Sequence, residues 1–246
     1  MEQIPKTIHY IWFGKNEKSK LIKKCIESWK KYLPGYEIIE WNEDNYDINK
    51  SKYIKEAYEN KKYAFAADFA RFDIIYNYGG IYFDTDVELL KPIPEEFLKY
   101  QGFMGMEGNK KAAPGLILAS KPREMLMREI LDKYKNMEYK NNGENETVVD
   151  ITTNILKEHG FVENGEKQQI ANFVIFPSEY FCAYDFDTRE FEITSNTISI
   201  HHYAFTWGSK KDKIIRKMKT IVRKIIGRKM YKNILNVKRK IFGIRN

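Results

Sequence analysis

A chain of 246 residues can bury one sizeable core, and its 43% hydrophobic and 31% charged residues are what a globular domain uses. The two cysteines, Cys25 and Cys182, exclude a disulfide framework and a CxxC metal site, and no apolar run reaches the ~20 residues of a membrane span. The net charge of +8 is unevenly spread: residues 209–246 hold 15 Lys/Arg against one Asp, a local +14, while the rest holds 27 Lys/Arg against 33 Asp/Glu, or −6.

Residues 6–13 read as a first strand, apolar enough for the middle of a sheet, and Gly14 ends it. Leu21, Ile22, Cys25, Ile26 and Trp29 fall at helical spacing and predict an amphipathic helix over 18–33, stopped by Pro34-Gly35. Residues 36–41 predict a second strand. This strand–helix–strand opening predicts the start of a parallel α/β sheet that binds a nucleotide at the carboxyl ends of its strands. His9 reads as a hydrogen-bonded core histidine. A polar loop and short helix fill 42–61, and an alanine-rich apolar run predicts a helix over 62–78. Gly79-Gly80 breaks it, and Ile81, Tyr82 and Phe83 form a short strand that runs into Asp84-Thr85-Asp86. Val87–Leu90 reads as a continuation. Further strands are expected at 101–106, 113–119, 172–177 and 197–203, with helices from Lys121-Pro122 to Tyr134 and over 147–158, and a loop at 136–146.

Strand side chains alternate, so Asp84 and Asp86 are expected on one side, where two carboxylates repel unless a cation lies between them. Hard oxygen donors suit Mg²⁺ or Mn²⁺. A solvated turn with two acids is the plain alternative, since so short a motif matches by chance. An apolar strand that starts at a double glycine and ends in Asp-x-Asp argues against a mere surface turn. Asp68 and Arg71, three apart, share a helix face, either as a simple ion pair or as a pair that meets a ligand. Tyr82 points the same way as Asp84 and either packs in the core or reaches a phosphate.

The run Asp68-x-x-Arg71, then Tyr78-Gly79-Gly80-Ile81-Tyr82-x-Asp84-x-Asp86, resembles the core of glycosyltransferase family 32, the sugar transferases that carry a DXD motif. Ile4-Pro5-Lys6-Thr7-Ile8-His9-Tyr10-Ile11-Trp12 and His201-His202-x-x-x-Thr206-Trp207 are similar to the family as well, so the resemblance spans residues 4–207. It implies a GT-A-type α/β nucleotide-sugar fold with a mixed central sheet over residues 1–208, followed by a basic helical tail over 209–246. It implies a metal-dependent transfer, with retention, of a sugar from a nucleotide-diphosphate donor, a UDP-sugar foremost, to a glycan or lipid-linked glycan in bacterial surface polysaccharide synthesis.

By the same resemblance Asp68, Arg71, Asp84 and Asp86 are the catalytic set, Trp12 stacks on the base, and Tyr82, Thr206 and Trp207 touch the nucleotide diphosphate. Asp84, Asp86 and a late histidine hold the ion. Alternation puts only one of the two histidines there; His202 is assigned, with His201 the alternative. An imidazole favours Mn²⁺ over Mg²⁺. Thr152-Thr153-Asn154 stands where many members carry Thr-Gly-Pro, and the family's asparagine near the Ala113 strand is missing. Both departures bear on the acceptor side and the choice of sugar.

Two other classes compete with this reading. A nucleic-acid binder would use the basic tail, but the body is acidic and its acids gather in the motif, so no nucleic acid is expected. A glycoside hydrolase needs carboxylates that flank a sugar at ~5–9.5 Å, which residues two apart do not easily do. The tail over 210–245 carries an apolar stripe (Ile214, Met218, Ile221, Val222, Ile225, then Ile234, Leu235, Ile241 and Phe242) among lysines and arginines. That pattern predicts an interfacial helix, broken at Gly227, on an anionic membrane. Its alternatives are packing on the body or dimerisation. The N-terminus shows no secretory pattern, so the expectation is a cytoplasmic enzyme peripheral to the inner face of the membrane.

Overall fold

The computed structural model describes residues 3–108, 110–188 and 190–204, together with 225–227, 230–231, 233–234 and 237. Thr206, Trp207, the boundary at 208/209 and most of the tail lie outside the described residues.

The elements run β1 (Thr7–Ile11), α1 (Lys20–Tyr32), β2 (Glu37–Trp41), α2 (Lys52–Glu59), α3 (Tyr63–Tyr78), β3 (Gly80–Tyr82), β4 (Val87–Leu89), β5 (Gly102–Met106) and β6 (Ala112–Ser120). They continue with α4 (Met125–Lys135), α5 (Val148–Glu158), β7 (Gln168–Ile170), β8 (Phe173–Phe176), α6 (Ser178–Phe181), β9 (Tyr184–Asp185), β10 (Glu190–Phe191) and β11 (Ser199–His201). Side-chain oxygens of Ser19, Ser51 and Thr147 accept from backbone N–H groups in the first turns of α1, α2 and α5, which fixes where these helices begin.

Seven strands form one mixed sheet in the order β2-β1-β3-β6-β5-β8-β7. β1 is parallel to β2 and β3, and β5 is parallel to β8; β6 runs antiparallel to both β3 and β5. Two apolar clusters cover the two faces. One gathers α2, α3, α4 and α5; the other gathers α1, α6 and the 83–98 segment.

The turn from α3 into β3 requires its glycines. Gly79 and Gly80 have φ of 65° and 97°, and a Cβ on Gly80 would lie 2.6 Å from the Thr7 carbonyl oxygen. Only a residue without a side chain can reverse here and still enter the sheet between β1 and β6.

Three expectations are corrected. The continuation at Val87–Leu90 leaves the main sheet: β4 pairs antiparallel with β11 in a separate two-stranded sheet. Asp84–Asp86 therefore form a turn rather than a strand end, closed by Val87 N–H donating to the Asp84 carbonyl at 3.0 Å. The helix expected from Lys121-Pro122 begins only at Met125, because Arg123 adopts φ 63° and donates its N–H to the Tyr76 carbonyl.

Candidate active site

α3 is buried along most of its length, including two charged residues, Asp68 and Arg71. Their spacing sets them on one face, and Arg71 Nη2 lies 2.8 Å from Asp68 Oδ1. The same nitrogen reaches Asp84 Oδ1 at 3.2 Å. The Tyr82 hydroxyl donates to Asp84 Oδ1 at 2.8 Å, and the guanidinium sits 5.0 Å from the Tyr82 ring centre. Tyr82 is thus bonded to Asp84 and buried. On the other side, Gly115 of β6 lies so close that a Cβ there would be 2.1 Å from Asp84 Oδ2.

One guanidinium serves two carboxylates, which leaves this buried group one positive charge short. Burial pushes the Asp68 carboxyl up to about 7, against the pull of Arg71 and with the help of Asp84. Arg71 Nη1 is buried with no hydrogen-bond partner among the described residues.

The turn at 84–87 breaks the alternation assumed for a strand, so the two aspartates diverge. Asp86 turns to β11, where its Oδ1 meets His201 Nε2 at 2.8 Å and its Oδ2 accepts the Ala204 N–H at 2.7 Å. Burial alone would raise the Asp86 carboxyl, but the His201 charge and hydrogen bond, with the Ala204 N–H, hold it down at about 2. His201 is raised in turn: burial opposes its charge, and Asp86 more than offsets that.

His202, the histidine assigned to the ion, faces elsewhere. Its Nε2 meets Glu88 Oε2 at 2.8 Å, and Glu88 also binds Lys24. The antiparallel pairing of β11 with β4 decides this, since adjacent residues of an extended segment face opposite ways. The expected trio of Asp84, Asp86 and His202 is therefore not brought together, and among the described residues no group of three or more His, Cys, Asp or Glu side chains forms a metal centre.

The pair Asp86 and His201 does fit a divalent ion of the kind expected. It offers one carboxylate and one imidazole whose Oδ1 and Nε2 lie 2.8 Å apart, close enough to share one ion once the imidazole gives up its proton. An ion held mostly by diphosphate oxygens and water needs no more protein ligands than these two.

Trp12 follows β1 on the carboxyl edge of the sheet, the edge that also carries Asp84, because β1 and β3 are parallel with His9 opposite Tyr82. The Trp12 indole is half-buried, its Nε1–H donating to the Asn16 carbonyl at 2.7 Å and Lys18 Nζ lying 5.3 Å from its ring. His9 is a core residue: its Nδ1 accepts from Trp41 Nε1–H at 3.1 Å and its Nε2–H donates to the Gly79 carbonyl at 2.9 Å. Burial lowers it to about 4 despite that second bond.

Sequence reasoning missed Gly115, Glu88, Glu107 and Tyr203. A glycine inside a strand, Gly115 after Pro114, was the one local signal of a close approach. The acids depend on strand pairings that no spacing reveals.

The mixed seven-stranded sheet flanked by helices is a GT-A-type α/β fold. A solved structure described as PaToxG glycosyltransferase superposes with a TM-score of 0.50 at 20% identity, over 64% of this chain and 69% of that one. Residues 19–104 match the family described as a glycosyltransferase sugar-binding region containing a DXD motif, a stretch that holds the Asp68-to-Asp86 motifs and not those at 4–12 and 201–207. Among curated proteins, Subversion of eukaryotic traffic protein A of Legionella pneumophila is 26% identical over 157 residues, 51% of this chain and 24% of that protein. Inositol phosphoceramide mannosyltransferase 1 of Schizosaccharomyces pombe is 29% identical over 104 residues, 38% of this chain and 31% of that protein. The chain thus aligns with only a quarter to a third of the length of these curated relatives.

Proposed function

We propose that this protein is a glycosyltransferase that moves a sugar from a nucleotide-diphosphate donor, a UDP-sugar foremost, to a glycan acceptor. The observation that carries the reading is the adjacency of two groups on one turn: Arg71 bridging Asp68 and Asp84, and Asp86 paired with His201. The sugar-binding-region match over residues 19–104 supports the same chemistry.

Asp86 and His201 would hold a divalent cation, Mn²⁺ before Mg²⁺ on account of the imidazole. When bound, the ion neutralises charge that develops on the departing diphosphate. Arg71 brings a fixed positive charge to the same region, with Nη1 available to a phosphate or sugar oxygen. Asp68, held near neutrality, accepts or donates to sugar hydroxyls. Asp84, fixed by Tyr82 and Arg71, orients the donor. Trp12 offers a ring to the base, and Thr206 and Trp207 are assigned to the diphosphate.

Transfer breaks the bond from the anomeric carbon to the diphosphate oxygen and makes one to the acceptor oxygen. The acceptor's proton passes to the leaving diphosphate. Attack from the same face, guided by that diphosphate, gives retention. The acceptor we infer is a growing surface glycan on a lipid carrier, which the basic tail would bring within reach at the cytoplasmic face of the membrane. A panel of nucleotide sugars incubated with Mn²⁺ and scored for nucleotide release tests the reading. One or a few donors should release nucleotide above background, and a flat panel in the presence of acceptor glycans would contradict it.

A further inference from the structure

Residues 201–204 fold around one carboxylate. The His201 ring and the Ala204 N–H take the two oxygens of Asp86, and the His202 N–H donates to the Asp86 carbonyl at 3.0 Å. An extended segment could not bring a side chain at 201 and an N–H at 204 to the same group, so the chain has to bend between them. Tyr203 makes that bend, at φ 48°. This left-handed backbone is uncommon for a bulky residue, and it persists where the surroundings leave no alternative.

The surroundings here are specific. The Tyr203 hydroxyl donates to Glu107 Oε1 at 3.1 Å, and Cys182 Sγ lies 3.1 Å from the Tyr203 hydroxyl oxygen. The ring packs between His201, at 4.1 Å between centres, and Tyr184 and Phe186, at 5.1 and 5.0 Å. Glu107 is itself fixed to the central sheet. It follows β5 directly, and its N–H donates to the Lys111 carbonyl across the β5–β6 turn at 2.9 Å. A contact thus runs from the central sheet through Glu107 and the Tyr203 ring to His201 and Asp86, which belong to the smaller β4–β11 sheet and its flanks.

We propose that Tyr203 and Glu107 are positioning residues for the Asp86–His201 pair: the hydroxyl-to-carboxylate bond holds the bend that presents both side chains to a divalent cation. The inference rests on the reading of that pair given under Proposed function. The part of Tyr203 and Glu107 is to act through the pair and not on the ion or the donor. Their effect is on how well the pair is pre-organised, the role that groups behind metal ligands commonly serve.

The test reads binding, without turnover. Free Mn²⁺ is followed by electron paramagnetic resonance as it is titrated into full-length protein with UDP or GDP present. Wild-type protein should retain Mn²⁺ in a nucleotide-dependent way. Tyr203→Phe, which keeps the ring and loses the hydroxyl, should raise the half-saturating Mn²⁺ concentration about tenfold, and Glu107→Ala should do the same. Glu107→Gln should stay within about twofold of wild type, because its amide oxygen still accepts the Tyr203 O–H. If Tyr203→Phe does not fold, Glu107→Ala against Glu107→Gln carries the comparison. Variants that melt earlier but bind Mn²⁺ like wild type would overturn the positioning role, as would equal losses in Glu107→Gln and Glu107→Ala. Wild-type protein that retains no Mn²⁺ with either nucleotide would overturn the reading of the Asp86–His201 pair itself.

Discussion

Arg71 faces Asp68 and Asp84 with a single positive charge, and that imbalance explains why burial raises Asp68 while Arg71 stays paired. Asp68→Ala relieves the imbalance and leaves Arg71 bound to Asp84. Calorimetric titration should then show a loss of affinity for the intact donor, with affinity for the free nucleotide diphosphate little changed. Equal losses for both ligands would remove Asp68 from the sugar. His9 gives a prediction on stability. Its folded value is lowered from 6.5 to about 4, so between these values the unfolded chain takes up a proton that the folded chain refuses. The His9 contribution is intact above pH 6.5 and is lost as pH falls toward 4, by about 3 kcal/mol in all. Urea unfolding at pH 7 and pH 4.5 should show this slope in wild type and a flatter one in His9→Gln. Equal slopes would contradict it.

At the scale of elements, local pattern predicted most of the main sheet and its helices. β1, α1, β2, α3, β5, β6 and β8 fall where apolar periodicity and the Pro-Gly and Gly-Gly breaks put them. What escaped depends on partners distant in sequence. β4 looks like an extension of β3 until β11 claims it, and that pairing converts Asp84–Asp86 into a turn and selects His201 over His202 for Asp86. The short strands β7, β9 and β10, of two or three residues each, carry too little pattern to read alone. β6 shows how an element far along the chain shapes the site. Its pairing with β5 shifts register between Met104 and Gly105, close to where Pro114 offers no N–H, and the Gly115 carbonyl accepts from Asp84 N–H at 3.1 Å. Gly115→Ala would force a Cβ against the Asp84 carboxylate. Donor turnover should fall by about 100-fold, the scale of losing one electrostatic contact to the reacting group. Kinetics on the purified, folded variant check this, and near-wild-type turnover would show that Asp84 is free to move.

On the scale of the whole molecule, charge separates an acidic body from a basic C-terminal segment. Of the residues described there, Ile225, Met230, Ile234 and Val237 are helical and expose their apolar side chains. Among the described residues no helix is long and apolar enough to cross a membrane. The surface attachment we propose is interfacial binding, to which each basic residue near an anionic leaflet contributes about 1 kcal/mol before screening. Full-length protein should pellet with anionic vesicles at low salt and be released at high salt, whereas a chain ending at Ser209 should stay in solution. Equal pelleting of the two would assign the attachment to the body.

The turn at Asp84–Asp86 is where we propose that the nucleotide-sugar donor is held. The most direct measurement is nucleotide release from the preferred donor by wild type and by Asp86→Asn, each stripped with EDTA and replenished with Mn²⁺. An amide keeps the shape of the side chain and the Ala204 contact but loses the anionic ligand. The expected result is metal-dependent release by wild type and a loss of about 100-fold or more in Asp86→Asn, both assayed below their melting temperatures. Wild-type release that survives EDTA, or an Asp86→Asn protein as active as wild type, would contradict the account.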